Sequence, residues 1–166
     1  MIVTLTGFMG SGKSSTGREL AGLTGYRFTD LDEYISHKAG KTIPQLLSES
    51  EERFRALEAE AVRDIFIMSR IEGFDVVLAL GGGSLMNPEI QTLVQSRSTL
   101  VYLRTGIETL VCRLEGSEKD RPLLKKCAVA DLMEQRLSGY GLASVIVDTD
   151  GKSPAQVAGE IYRIIK

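Results

Sequence analysis

Ile2-Val3-Thr4-Leu5-Thr6 runs straight into Gly7-Phe8-Met9-Gly10-Ser11-Gly12-Lys13-Ser14, and the reading of this junction decides the fold. The first five residues are β-branched or apolar, the composition of a short strand. The octet fits G-x-x-x-x-G-K-[ST], a loop whose backbone N–H groups turn inward around a polyphosphate. A Cβ at the glycines would block that approach. A helix is predicted from Ser14 to Leu23, and its positive N-terminal end adds to the attraction. Lys13 is placed to reach the β- and γ-phosphates and Ser14 to ligate Mg²⁺. Gly10, Ser11, Gly12, Lys13, Ser14 and Ser15 are thus the candidate nucleotide-binding residues. The alternative, a glycine turn matching by accident, lacks a reason to stand between a strand and a helix, which is the context the motif requires.

Outward from this loop, strand-like and helix-like segments alternate to the end of the chain. Arg27 to Asp30 is a weak strand and Asp32 to Ala39 a short helix stopped at Gly40. Thr42 caps the next segment, with Pro44 in its first turn. A long helix is predicted from about Glu51 to Ile71, with an apolar stripe of Phe54, Leu57, Ala61, Ile65 and Met68. Val76 to Leu80 is a continuous apolar run, as in a strand covered on both faces. Asn87-Pro88 opens a helix, Leu100 to Leu103 is a strand, and Thr105 starts a helix reaching about Glu115. After a polar stretch, Gly116 to Leu124, come a helix near Val129 to Leu137, a strand Ser144 to Asp148, and a helix opened by Ser153-Pro154. Five strands each followed by helix predict a single α/β domain over 1–166, a parallel sheet with helices on both faces. Ligands in such folds bind at the C-terminal ends of the strands.

Composition narrows the function. The chain has 166 residues, 43% hydrophobic and 25% charged, with a formal net charge of −2. That is an ordinary globular balance, and it offers no positive field for a nucleic-acid backbone or a membrane surface. The longest apolar run is far short of the ~20 residues of a spanning helix. The N-terminus has no basic region or cleavage site of a signal peptide. Two cysteines, Cys112 and Cys127, lack metal-ligand spacing. A cytoplasmic location and a monomer are expected.

Beyond the phosphate loop, several residues carry chemistry. Asp30 and Asp32 flank Leu31 at the end of the second strand, and on an extended chain they would share a face. Mg²⁺ near Asp30 and a substrate hydroxyl on Asp32 would relieve their repulsion. The same string also suits a helix N-cap followed by a surface acid. Arg55 could offer a planar fork to a carboxylate, with Glu58 three residues on to hold it; an exposed helical ion pair is the plainer reading. Gly81-Gly82-Gly83 would let a ligand lie against the backbone, or serve only as a permissive turn. His37, the only histidine, is read as structural or solvated, and Cys112 as a packing residue on an apolar helix face.

Gly7 to Ser14, Asp30-Leu31-Asp32, Phe54-Arg55 with Glu58, Gly81 to Gly83, and Arg121-Pro122-Leu123-Leu124 together resemble the shikimate kinase family in order and spacing over essentially the whole chain. The resemblance implies a three-layer α/β/α P-loop kinase fold with a five-stranded parallel sheet. It also implies a substrate-binding helical segment at about 32–60 and a mobile lid at about 116–124. The implied reaction moves the γ-phosphate of ATP, with Mg²⁺, to the 3-hydroxyl of shikimate, in chorismate and aromatic amino-acid biosynthesis. Lys13, Asp32 and Arg121 are then the candidate catalytic residues, and Ser14 and Asp30 the metal ligands. Arg121 and Pro154 join the nucleotide site. Asp32, Arg55, Gly81, Gly82, Gly83 and Arg136 form the substrate site. Lys119 and Arg121 suit a lid that excludes water. The family's proline two residues after the second arginine is missing: Leu137-Ser138-Gly139-Tyr140 follows Arg136, with the tyrosine register kept. The family's adenine-covering arginine falls in register on Leu114, with Arg113 beside it. Ser50 stands where the family commonly has glycine. A kinase for another small hydroxy acid such as gluconate, and a nucleotide-binding regulator without turnover, remain alternatives.

Overall fold

A computed structural model of the chain describes residues 1–115 and 126–166. The expected lid, with Lys119 and Arg121, lies outside the described residues. Five strands, β1 (Ile2–Thr6), β2 (Arg27–Asp30), β3 (Val76–Ala79), β4 (Thr99–Arg104) and β5 (Val145–Asp148), form one sheet in the order β2-β3-β1-β4-β5. Every pairing is parallel, and the central strand β1 sets Thr4 between Leu78 and Leu100. The helices α1 (Lys13–Thr24), α2 (Leu31–Ala39), α3 (Ile43–Glu49), α4 (Glu51–Glu72), α5 (Pro88–Arg97), α6 (Ile107–Glu115), α7 (Lys126–Tyr140) and α8 (Pro154–Ile165) are the crossovers and flanks.

Strand alternation divides the core between two layers. Val76 and Leu78 of β3, with Leu100 and Tyr102 of β4, pack against Phe54, Val62, Ile65 and Phe66 of α4. Val77 of β3, with Val3 and Leu5 of β1, packs instead with Leu20 of α1 and Val157 and Ile161 of α8. A third cluster, Phe8, Leu110, Leu114 and Val129, sits beside the phosphate loop.

Local chemistry explains the boundaries. Thr42 and Ser153 each make a reciprocal capping box with the glutamine three residues on, Gln45 and Gln156, followed by proline in the first turn. Ser50 ends α3 and caps α4, its hydroxyl accepting from the Arg53 N–H at extended backbone angles that need no glycine.

Four sequence expectations need correction. The buried face of α4 runs through Phe54, Glu58, Ala61, Val62, Ile65, Phe66 and Ser69, whereas Leu57 and Met68 only flank it. Helix α6 begins at Ile107 rather than Thr105, because Thr105 turns its hydroxyl to Thr149 at 2.6 Å. Helix α7 continues to Tyr140, since Ser138 supplies the N–H a proline would lack. Cys112 is exposed, while Leu110 and Leu114 of the same helix are buried. His37 is exposed, as expected. Among the described residues no helix is long and apolar enough to cross a membrane.

Candidate active site

The site lies at the C-terminal edge of the sheet, where β1, β2 and β3 each end in residues singled out by the sequence. Gly10 and Gly12 hold left-handed angles, φ 83° and 91°, which fold the loop back onto the start of α1. Lys13 Nζ donates to the carbonyls of Gly7 and Phe8 at 2.8 and 2.9 Å, so the loop's own backbone holds its ammonium at the loop mouth. A cleft of about 270 Å³ opens there, lined by Lys13, Ser14, Asp30, Asp32, Gly81 and Gly82 among others. A second cleft of about 390 Å³ continues on the far side of the loop, where Ser15 meets Arg113, Thr149, Lys152 and Pro154. Arg113 also donates to the Gly10 carbonyl at 2.8 Å. Leu114, which holds the family register, is buried beside Phe8; Arg113 is the residue that reaches the cleft.

Asp30 and Asp32 are not side by side on a strand. Asp30 ends β2 and is the N-cap of α2, accepting from the N–H groups of Asp32 and Glu33. Its other oxygen takes the Ser14 hydroxyl. Asp32 belongs to the first turn of α2, so the helix rather than strand alternation turns it into the cleft. Burial pushes the Asp32 carboxyl up to about 6, helped by the charges of Asp30 and Glu58 and opposed by Lys13 and Arg55. A carboxylate so raised is a better proton and hydrogen-bond acceptor than an ordinary one, yet is still mostly ionised at neutral pH.

Opposite Asp32 stands a pair of guanidinium groups. Arg55 Nη1 donates to Glu58 Oε1 at 2.6 Å, and the other Glu58 oxygen takes the buried Ser84 hydroxyl. The Arg55 guanidinium also lies 5.4 Å from the centre of the Phe54 ring. Arg136, from α7, sits 5.4 Å from the centre of the buried Phe8 ring. Its Nη1 is buried and has no hydrogen-bond partner among the described residues. The two arginines meet over the glycine triplet. A Cβ on Gly82 would stand 3.1 Å from Arg136 Nη1. One on Gly83 would stand 3.0 Å from Arg55 Nη2 and 3.3 Å from Arg136 Nη2. On Gly81 it would stand 3.1 Å from Asp32 Oδ1 and 3.3 Å from Glu58 Oε2. The triplet therefore carries two guanidinium groups over Gly83 and the Asp32 carboxyl over Gly81. It could hold a small ring bearing an anion and a hydroxyl.

The described structure thus brings together Lys13, Ser14, Asp30, Asp32, Arg55, Arg136 and the three glycines, and sets Pro154 with Arg113 beyond the loop. Arg121 lies outside the described residues. Ser84 and Tyr140 were not among the sequence candidates, although Ser84 directly follows the glycines and Tyr140 is one helical turn past Arg136.

Mg²⁺ fits the donors present. Ser14 and Asp30 bring a hydroxyl and a carboxylate together at the phosphate end of the cleft, hard oxygens of the kind Mg²⁺ prefers. The described residues contain no group of three or more His, Cys, Asp or Glu side chains that could hold a metal ion by themselves.

Known proteins resemble the chain over nearly its whole length. The family model described as shikimate kinase matches residues 9–166. A shikimate kinase of Geobacter sulfurreducens is 40% identical over 169 residues, covering 99% of this chain and 90% of that protein. One from Thermus thermophilus is 41% identical over 165 residues, covering 96% and 86%. Among solved structures, shikimate kinase from Acinetobacter baumannii in complex with shikimate superimposes with a TM-score of 0.89 at 31% identity, covering 99% of this chain and 92% of that one. The Aquifex aeolicus shikimate kinase gives 0.83 at 32% identity, covering 99% and 96%. With this fold, this arrangement of loop, carboxylates and arginines, and near-complete coverage by these relatives, the chain belongs to the shikimate kinase family.

Proposed function

We propose that the clefts on either side of Gly10–Gly12 bind ATP and shikimate end to end, and that the chain transfers the γ-phosphate to the shikimate 3-hydroxyl. The observation that carries this reading is the convergence of Arg55 and Arg136 over Gly83, across the same space from Asp32. Shikimate is a ring with one carboxylate and three hydroxyls, and its two ends ask for these opposite charges.

The adenine enters the cleft between Arg113 and Pro154, where a guanidinium face and a proline ring can sandwich a flat base. The loop N–H groups and the start of α1 receive the phosphates. Lys13 exchanges its two carbonyl partners for phosphate oxygens, so the charged group is held in place before the nucleotide arrives. Ser14 and Asp30 would hold Mg²⁺, which would neutralise charge on the nucleotide phosphates. Arg55 and Arg136 fix the carboxylate of the acceptor, Glu58 keeping the Arg55 fork in its plane. Asp32 accepts a hydrogen bond from the attacking hydroxyl and takes its proton as the new P–O bond forms. A loose transition state demands little of a base, so alignment is the larger contribution. Arg121, together with the lid assigned to 116–124, is given the remaining charge on the transferring phosphate and the exclusion of water. One domain, acting as a monomer in the cytoplasm, completes this reading.

A coupled assay of ADP release tests it. Release should depend on shikimate and should not be supported by gluconate at equal concentration. ADP release indifferent to shikimate overturns the assignment.

A further inference from the structure

Arg136 is borne on a helix whose end is pinned by two residues that the phosphoryl-transfer scheme leaves unused. Tyr140 closes α7 one turn beyond Arg136, on the same helix face. It is 1% exposed, and its ring stacks on Tyr102 of β4 with centroids 4.9 Å apart and planes inclined by 18°. Its hydroxyl donates to the carbonyl of Gly82 at 2.8 Å. Burial pushes the phenol up to about 12, so it stays a neutral donor at any working pH. Gly139 lies flat against the turn after β3: a Cβ there would stand 3.0 Å from Leu85 Cβ and 3.1 Å from the Leu85 carbonyl oxygen. Gly82 therefore receives Tyr140 through its carbonyl while its Cα faces Arg136 Nη1.

We infer that Gly139 and Tyr140 are positioning residues for the substrate-carboxylate arginine: docking the end of α7 onto Gly82 and Leu85 sets the Arg136 guanidinium over the glycine triplet. The inference rests on the reading of Arg136 as an anion ligand. It gives Gly139 and Tyr140 a physical role that the phosphoryl-transfer scheme leaves open. The helix is fastened at its last residue by the Tyr140–Gly82 hydrogen bond and the stack on Tyr102, and the Tyr140 hydroxyl also meets the Arg136 side chain.

The test is a kinetic cycle with Tyr140→Phe, Arg136→Met and the double variant, each assayed against shikimate and ATP. Tyr140→Phe keeps the ring stack and removes only the hydroxyl. KM for shikimate should rise about five- to tenfold, the value of one hydrogen bond, with kcat changed less and KM for ATP unchanged. In the Arg136→Met background the same exchange should leave KM for shikimate unaltered. An equal rise in both backgrounds, an equal rise for ATP, or no rise in the wild-type background overturns the inference while leaving the assignment of Arg136 standing. A wild-type KM in Arg136→Met alone overturns that assignment and the inference with it. Should Tyr140→Phe not fold, Gly139→Ala is put through the same cycle with the same expectations.

Discussion

Arg55 Nη1 lies 2.6 Å from Glu58 Oε1, one turn along α4, and Glu58 is only 1% exposed. A carboxylate so buried is costly unless each oxygen is met by a donor, and here Arg55 meets one and Ser84 the other. A neutral amide at this position can still accept from Arg55 and donate its NH₂ to the Ser84 hydroxyl, but the charge-assisted bond to the guanidinium is lost. Glu58→Gln should therefore lose about 2 kcal/mol of stability, the scale of a hydrogen bond to a charged group. It should also raise KM for shikimate, because the Arg55 fork is released. Urea unfolding alongside steady-state kinetics reads both. Unchanged values for stability and KM would mean that Glu58 does not hold the Arg55 fork for the substrate carboxylate.

Gly83 has φ −107°, a backbone angle that alanine also adopts, so Gly83→Ala costs the backbone little. The added methyl instead meets both arginines, at 3.0 and 3.3 Å. Steady-state kinetics should show KM for shikimate raised about tenfold or more, equivalent to roughly 1.4 kcal/mol, with KM for ATP unchanged. If the triplet were only a turn, neither constant would move.

Much of this was legible in the sequence, for identifiable reasons. The strands declare themselves because a two-sided sheet needs continuous apolar runs such as Val76 to Leu80, and the caps because Thr42, Asn87 and Ser153 each stand beside a proline or one residue from it. The apolar spacing of α4 places Phe54, Ala61 and Ile65 correctly on the buried face but Leu57 and Met68 where Glu58 and Ser69 lie, because a hydrophobic pattern cannot count a buried acid or serine. Spacing alone puts Asp30 and Asp32 on one strand face, whereas the shift from strand to helix between them is what aims Asp32 into the cleft. The pairings of Ser84 with Glu58 and of Tyr140 with Gly82 link residues distant in the chain, which spacing along one sequence does not report.

Arg113→Ala is expected to distinguish the two substrates. Arg113 shares a cleft with Pro154 on the side of the loop away from Asp32 and Arg55, and donates to the Gly10 carbonyl. Arg113→Ala should raise KM for ATP about three- to tenfold, as expected for loss of about 1 kcal/mol of stacking and hydrogen bonding. KM for shikimate should hold. The opposite pattern, with shikimate affected and ATP spared, would place the base elsewhere.

Asp32 makes the last prediction, in the protein free of nucleotide and with chelator present. Its carboxyl is raised from 3.8 to about 6, chiefly by burial and next by the Asp30 and Glu58 charges. Between those two values the folded chain holds a proton at this site that the unfolded chain has released, so stability falls as pH rises through the window. The loss is complete above about pH 6 and, for a shift of this size, amounts to up to about 3 kcal/mol. Asp32→Asn removes the ionisation, and with it the loss. Urea midpoints from pH 4.5 to 8 should therefore show the variant gaining on the wild type as pH rises, with the difference levelling off above pH 6. Parallel curves would mean that Asp32 titrates like an exposed carboxylate, and its standing as a tuned acceptor for the reacting hydroxyl would fall with them.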